Sequence, residues 1–386
     1  MTTNDSILRA SRWFLAVTLT ACSVVPAFGL VRWNEGKDDI HVTATASWVA
    51  DSNIYYDSQD ISDTVISSSI GIDYRRKAGL IGVNASVGFG ISEFAENSDE
   101  SFTNPTMRLE LNKDSGRTTG TLGLTGFRDS RADPAANMRT DSWNYGAELR
   151  IKYPVNDRHS FSGGMDWNRQ DYDNNALFVD IDTTSLSADW FYVFTPERDL
   201  FGGYRLRFSE TSAGTATALG RYADHSISGG ISGRLIRGLN GSARVGFQNR
   251  YDLTNGGNDA SGYNATISAT WNFSRTVSLT GRVSKDFNIT STNISTDVFS
   301  GNLDLQYARS AKLIFTAGAG TGVTKFLGEI GNNREDTYFT AYARVGYTFS
   351  EKLRVGATYS YFQNWSTLPF SDFERDSITF DASTRF

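Results

Sequence analysis

The stretch from Ala343 to Tyr361, ARVGYTFSEKLRVGATYSY, is two runs of alternation joined by a charged corner. Ala343, Val345, Tyr347 and Phe349 point one way, and Arg344, Gly346 and Thr348 point the other. After Ser350-Glu351-Lys352 the same face resumes with Leu353, Val355, Ala357, Tyr359 and Tyr361. Side chains alternate across a strand, so this is a β-hairpin with one apolar face. The period of two recurs from residue 40 to the C-terminus, and no window after residue 30 carries helical periodicity. Every strand therefore needs cover for one face: a second sheet or a helix in water, or lipid.

The alternation predicts about 18 strands, with 16 as the alternative count, because the fifth and seventh are weakly patterned. Ile81, Val83, Ala85, Val87, Phe89 and Ile91 form one apolar face; Tyr263, Ala265, Ile267, Ala269, Trp271 and Phe273 form another. Short corners such as Pro154–Arg158, Pro196–Asp199 and Arg237–Gly241 take turns with longer polar connections. Examples of the latter are Asp51–Ser62, Asp129–Asp141, Asn288–Ser295 and Gln363–Arg375. Short turns on one side and long loops on the other are the habit of a transmembrane barrel. No linker interrupts the series, so residues 30–386 read as one unit.

The first 29 residues differ. Arg9 and Arg12 precede an apolar run from Trp13 to Ala21, and Ala27-Phe28-Gly29 follows, the layout of a cleaved secretory signal. Leu19-Thr20-Ala21-Cys22 also resembles a bacterial lipobox, which would make Cys22 a lipidated first residue. Cys22 is the sole cysteine, so cleavage at Gly29 leaves a chain without disulfide or thiolate chemistry. Losing Arg9, Arg12 and Asp5 moves the formal charge from −6 to −7. That acidic balance argues against nucleic acid as a partner, which calls for a basic footprint.

Three features favour lipid over a soluble β-sandwich. Aromatics, 13% of the chain, gather near strand ends on the apolar face: Trp48, Tyr74, Tyr153, Trp167, Phe194, Trp271, Phe273, Tyr347 and Phe349. Aromatic girdles of this kind mark lipid–water interfaces. The opposite face carries Gly, Ser, Thr, Asn and charges, which a watery lumen accepts. The chain ends on Phe386 after an alternating strand, an expected signal to the barrel-assembly machinery. The fold class is thus all-β, a transmembrane antiparallel up-and-down β-barrel in the bacterial outer membrane, with membrane lipid as its first partner. Closure is required because each unpaired amide in hydrocarbon costs several kcal/mol.

Expected lumen-lining residues are Arg108, Glu110, Glu148, Arg150, Arg205, Arg207, Arg234, Arg244, Arg282, Arg344 and Arg354. Arg205, Arg207, Arg234 and Arg244 make the densest basic patch in this reading. Mixed signs suit a wall of cross-strand ion pairs or a charged path that selects a solute. Enzyme chemistry has little support: His41, His159 and His225 lie on distant strands without metal-ligand spacing, and no G-x-S-x-G elbow occurs. No metal or cofactor is expected. Gly163-Gly164 and Gly202-Gly203 read as points of strand curvature.

The segment from Ile40 through Asp51-Ser52-Asn53-Ile54-Tyr55 to Ser62-Asp63, and the final strand closing on Arg385-Phe386, resemble the putative beta-barrel porin 2 family. Here Ser52 splits the Asp–Asn pair. The resemblance implies passage of polysaccharide across the outer membrane, with periplasmic polysaccharide-export proteins as partners and no catalytic residues. The first expectation is an outer conduit for exopolysaccharide or capsule export. The alternatives are a general diffusion porin for small solutes and an adhesive or structural barrel whose loops bind a partner. No loop exceeds about 15 residues, which suggests a wide or partner-plugged lumen rather than a loop-constricted one.

Overall fold

The computed structural model describes residues 31–33, 38–77, 79–173, 178–212, 220–254, 259–327 and 333–386. The expected signal sequence with Cys22 lies outside them. A three-residue strand β1 (Val31–Trp33) precedes β2 (Asp38–Asp51), β3 (Asp63–Arg76), β4 (Gly82–Phe94), β5 (Phe102–Lys113) and β6 (Thr119–Asp133). Then come β7 (Met138–Pro154), β8 (His159–Tyr172), β9 (Asp180–Thr195), β10 (Arg198–Ser212), β11 (Gly220–Ile236) and β12 (Leu239–Asp252). The series ends with β13 (Ala260–Asn272), β14 (Val277–Ile289), β15 (Ser295–Ala308), β16 (Leu313–Phe326), β17 (Glu335–Thr348), β18 (Leu353–Ser366) and β19 (Phe373–Arg385).

Each strand from β2 to β19 pairs antiparallel with the next, and β19 returns to β2 from Arg385↔Thr43 to Ser377↔Asp51. The result is a closed 18-strand barrel. Closure gives every spanning amide a partner, which hydrocarbon demands. The two weakly patterned stretches are full strands, β6 and β8, and the turn at 114–118 is one that the sequence pattern did not mark. No described helix is long and apolar enough to cross a membrane.

The seam ends on Phe386, whose amide donates to the Val42 carbonyl at 2.8 Å while the Val42 amide donates back at 2.9 Å. Below that rung the edge of β2 is covered by β1, through Val31↔Ile40. Deleting Phe386 removes the last rung together with the terminal ring. We expect several-fold less folded barrel in the outer membrane, read as the band that shifts on heating. An unchanged level would remove the assembly role from Phe386.

Register separates the two faces. Ile70, Val87, Ile227, Val245 and Leu303 stand exposed on one face. On the other, side chains bridge strands that are not neighbours: Arg244 of β12 to Asp189 of β9 at 2.8 Å, and Tyr342 of β17 to Asp304 of β15 at 2.7 Å. Only the concave side of a curved sheet lets side chains skip a strand, so that face is the lumen. Of the expected girdle, Tyr74, Tyr153, Phe194, Trp271, Phe273, Tyr347 and Phe349 lie toward the turn end, while Trp48 and Trp167 lie toward the loop end. Tyr74 and Trp167 hydrogen-bond Asp38 at 3.0 Å and Asp182 at 3.2 Å, keeping their polar tips at the wet edge.

Two strands part from one neighbour near the loop end, while β15 stays paired with β16 as far as Thr296↔Phe326. β13 and β14 pair only as far as Ala265↔Lys285, although β14 runs on to Ile289. β5 and β6 pair only as far as Thr106↔Phe127, although β6 runs on to Asp133. Above those points the β14–β15 and β6–β7 tips stay paired internally, at Ile289↔Ser295 and Asp133↔Met138. They bend inward from nearly opposite sides of the ring and meet where Ser291 Oγ donates to Asp133 Oδ2 at 2.6 Å.

Candidate functional site: a loop-lined chamber in the lumen

The inner wall is charge-paired rather than basic. By register Arg108, Glu110, Glu148, Arg150, Arg205, Arg207, Arg234, Arg244, Arg282, Arg344 and Arg354 all occupy the lumen face. Arg108 meets Glu110 at 3.0 Å, and Arg150 sits between Glu148 at 3.3 Å and Asp166 at 2.7 Å. Arg282 meets Asp304 at 2.8 Å, and Arg344 meets Asp381 at 2.6 Å. A Cβ at Gly203 would collide with the Asp189 carboxylate, and one at Gly164 with the Arg150 guanidinium. Those glycines make room for ion pairs, a role that strand curvature alone did not suggest.

The expected basic patch does not form. Arg205 and Arg207 both reach Asp286, at 2.8 and 3.3 Å. Arg234 lies eight positions from Ser226, the residue opposite Arg205, which is about 26 Å at about 3.3 Å per residue. Its guanidinium is taken by Glu197 beside the turn end.

The hairpin that crosses the mouth is tied to the wall by a buried network that sequence reasoning did not single out. Asp224 and Arg250 are each 1% exposed. Asp224 accepts from Arg250 Nε at 2.7 Å and from Arg207 Nε at 2.7 Å. The same two arginines grip the incoming β14 backbone. Arg207 Nη2 donates to the Phe287 carbonyl at 2.8 Å, and Arg250 Nη1 donates to the Asn288 carbonyl at 2.9 Å. Thr211 Oγ1 donates to Asn293 Oδ1 at 2.7 Å, holding the tip.

The β6–β7 tip is held from the far side. Arg334 donates to the carbonyls of Ala135 at 3.0 Å and Pro134 at 3.1 Å, and Asn137 donates to Ser371 Oγ at 2.7 Å. The expectation of a wide lumen is therefore corrected. Short loops suffice because the strand tips themselves carry them inward.

The residues that carried the family resemblance organise the same mouth. Asp51 binds Arg375 at 2.8 Å. Asn53 is fully buried; its amide donates to the Asp57 carbonyl at 2.6 Å and its oxygen accepts from Tyr56 N–H at 3.0 Å. Tyr56 is thereby held at φ 59°, and burial pushes its phenol above the ordinary tyrosine value. Asp63 caps the next loop, accepting from the amides of Ala95 and Glu96 at 3.1 Å and Asn97 at 2.8 Å.

One buried amide gains nothing from this arrangement. Gln248 is 0% exposed on the inner face of β12, and neither amide atom has a protein partner among the described residues. Leaving such a group unpaired costs about 1–3 kcal/mol. Gln248→Leu should therefore be neutral or raise resistance to denaturant; a loss above about 2 kcal/mol would mean that the amide is satisfied in solution.

Between the two tips and the walls lies a chamber of about 700 Å³. Phe127, Asn144, Asn168 and Gln170 face it from β6 to β8, the β14 tip from above, and Val298, Thr324, Tyr338, Phe362 and Asn364 from β15 to β18. No group of three His, Cys, Asp or Glu placed to hold a metal exists among the described residues.

A closed antiparallel barrel with an apolar belt, a polar lumen and loops folded into its mouth defines an outer-membrane, porin-like channel. This chain belongs to the putative beta-barrel porin 2 family, whose sequence profile matches residues 40–386. Solved structures share the architecture at low identity. OccK2 (OpdF) of Pseudomonas aeruginosa is 12% identical with a TM-score of 0.50, covering 93% of this chain and 99% of that one. OccAB4 of Acinetobacter baumannii is 13% identical with a TM-score of 0.50, covering 91% and 98%. At such identity the likeness shows the fold alone. No curated protein matches the sequence.

Proposed function

We propose that the barrel is a diffusion channel through which small hydrophilic solutes cross the outer membrane. The observation that carries this reading is the meeting of the β6–β7 and β14–β15 tips. It replaces an open bore with a chamber of about 700 Å³, a size that suits a small ligand. The charge-paired wall fits passage rather than chemistry, so a channel is favoured over an enzyme. A polymer conduit would need both tips withdrawn, against the Asp286 ion pairs of one and the hydrogen bonds that hold the other. Lipid is the partner at the belt, and the assembly machinery is the partner at Phe386; export proteins in the periplasm belong to the polymer reading.

The test is liposome swelling with the refolded, heat-modifiable barrel. We expect swelling with solutes of sugar size and none with large dextrans. Dextran flux, or swelling indifferent to solute size, would return the argument to a wide conduit. Deleting the gene should leave surface polysaccharide unchanged.

A further inference from the structure

The chamber has a chemical bias that the channel reading does not require. Its charged lining residues are already spoken for. Asp336 is held by Arg334 at 2.7 Å with both side chains nearly buried, Asp133 takes the Ser291 hydroxyl, Arg131 lies 3.8 Å from Asp129, and Arg169 lies 3.8 Å from Asp180. The other polar side chains facing the space are neutral. Asn144 and Gln170 each spend one N–H on Ser142 Oγ, at 3.2 and 3.3 Å, and Asn364 spends one on the Ser371 carbonyl at 2.9 Å. Their amide oxygens have no protein donor among the described residues. The lining therefore offers free amide oxygens beside remaining amide N–H groups, and it suits a solute whose groups both donate and accept. A carboxylate or phosphate brings only acceptors, whereas a polyol brings a hydroxyl at nearly every carbon.

The opposite wall supplies a flat surface. Tyr338 and Phe362 are stacked with centroids 5.7 Å apart and planes 14° from parallel. Phe362 continues onto Phe373 at 5.5 Å and 17°, and Phe373 onto Tyr56 at 5.5 Å and 23°. Tyr56 also stacks on Phe362 at 6.1 Å and 17°, so the four rings form one cluster on that wall. An apolar ring face beside polar acceptors matches an amphipathic sugar, whose C–H groups pack on the ring while its hydroxyls reach sideways.

We propose that the chamber is a binding site for neutral, hydroxyl-rich solutes of mono- or disaccharide size. They stack on Tyr338 and Phe362 and donate to the amide oxygens of Asn144, Gln170 and Asn364. The proposal rests on the small-solute channel reading and names its substrate class.

Ion current through single barrels in planar bilayers tests it, with maltose as the probe and gluconate as the charged control. Maltose should block the current saturably, and gluconate should not. Tyr338→Ala with Phe362→Ala should raise the half-blocking maltose concentration about tenfold, read against that variant's own open current, as the loss of two ring contacts implies. If that variant does not fold, Asn144→Leu with Gln170→Leu on the other wall is read in the same way, with the same direction expected. Current without saturable maltose block, equal block by gluconate, or a variant that blocks like the parent overturns the sugar site and leaves the channel standing. A folded barrel that passes no ions overturns the channel itself.

Discussion

Asp224→Ala is expected to free the β14–β15 hairpin from the wall. The carboxylate is 1% exposed and shared by two arginines, one of them equally buried. Removing it strands the Arg250 charge where solvent is scarce and leaves Arg207 with Asp286 alone, and breaking a buried pair from one side costs about 3–5 kcal/mol. Arg207 and Arg250 also hold the Phe287 and Asn288 carbonyls, so their reorientation takes the β14 backbone with it. The belt of the barrel, built from independent strand pairs, should survive. The outcome to look for is a larger and noisier single-channel current, with new protease cleavage between residues 286 and 296 in an otherwise heat-modifiable barrel. Arg282→Gln is the contrast. Its pair with Asp304 is well exposed, and such pairs contribute about 0–1 kcal/mol. If Asp224→Ala and Arg282→Gln give the same current as the parent, the hairpin is not held by this network.

The barrel was readable from sequence because each strand solves the same problem alone. A strand crossing lipid must be oily on one side, and the period of two shows which side. Hence Leu353, Val355, Ala357 and Tyr359 assigned their own face without reference to any other strand. The signal stops where hydrocarbon stops, and the sheet does not. β11 begins at Gly220, yet its apolar face begins at Ile227, and β14 runs past Val283 to Ile289. Asp224 and Asp286 lie in those outer extensions, and Arg250 lies opposite Asp224 on β12. They alternate like ordinary lumen residues, so nothing local marks them as the clamp of a constriction.

The inward bend has a similar cause. It depends on β14 losing β13 above Lys285 and β6 losing β5 above Phe127. Pairing lost between two strands leaves no trace in the sequence of either. The motif around Asp51, Asn53 and Asp63 did leave a trace, because one side chain bonds several backbone groups of its own loop or the next. Its residue types are fixed by that geometry, so it was visible as a resemblance before its role was.

The second large effect tests the face assignment itself. Val245 sits midway along β12, outward and 58% exposed, next to Arg244, which points inward to Asp189. One residue therefore separates a position that tolerates an arginine from one that should reject it. Val245→Arg places a guanidinium against hydrocarbon near the bilayer midplane, at a cost of about 2–4 kcal/mol. Ser242→Lys adds the same charge to the lumen face of the same strand, where it stays in water, and should cost less than about 1 kcal/mol. Unfolding from phospholipid vesicles in guanidinium chloride reads the difference directly. Equal costs for the two would mean that both faces of β12 meet the same medium. A barrel with lipid outside and water within cannot produce that result, but a sheet packed in a soluble protein could.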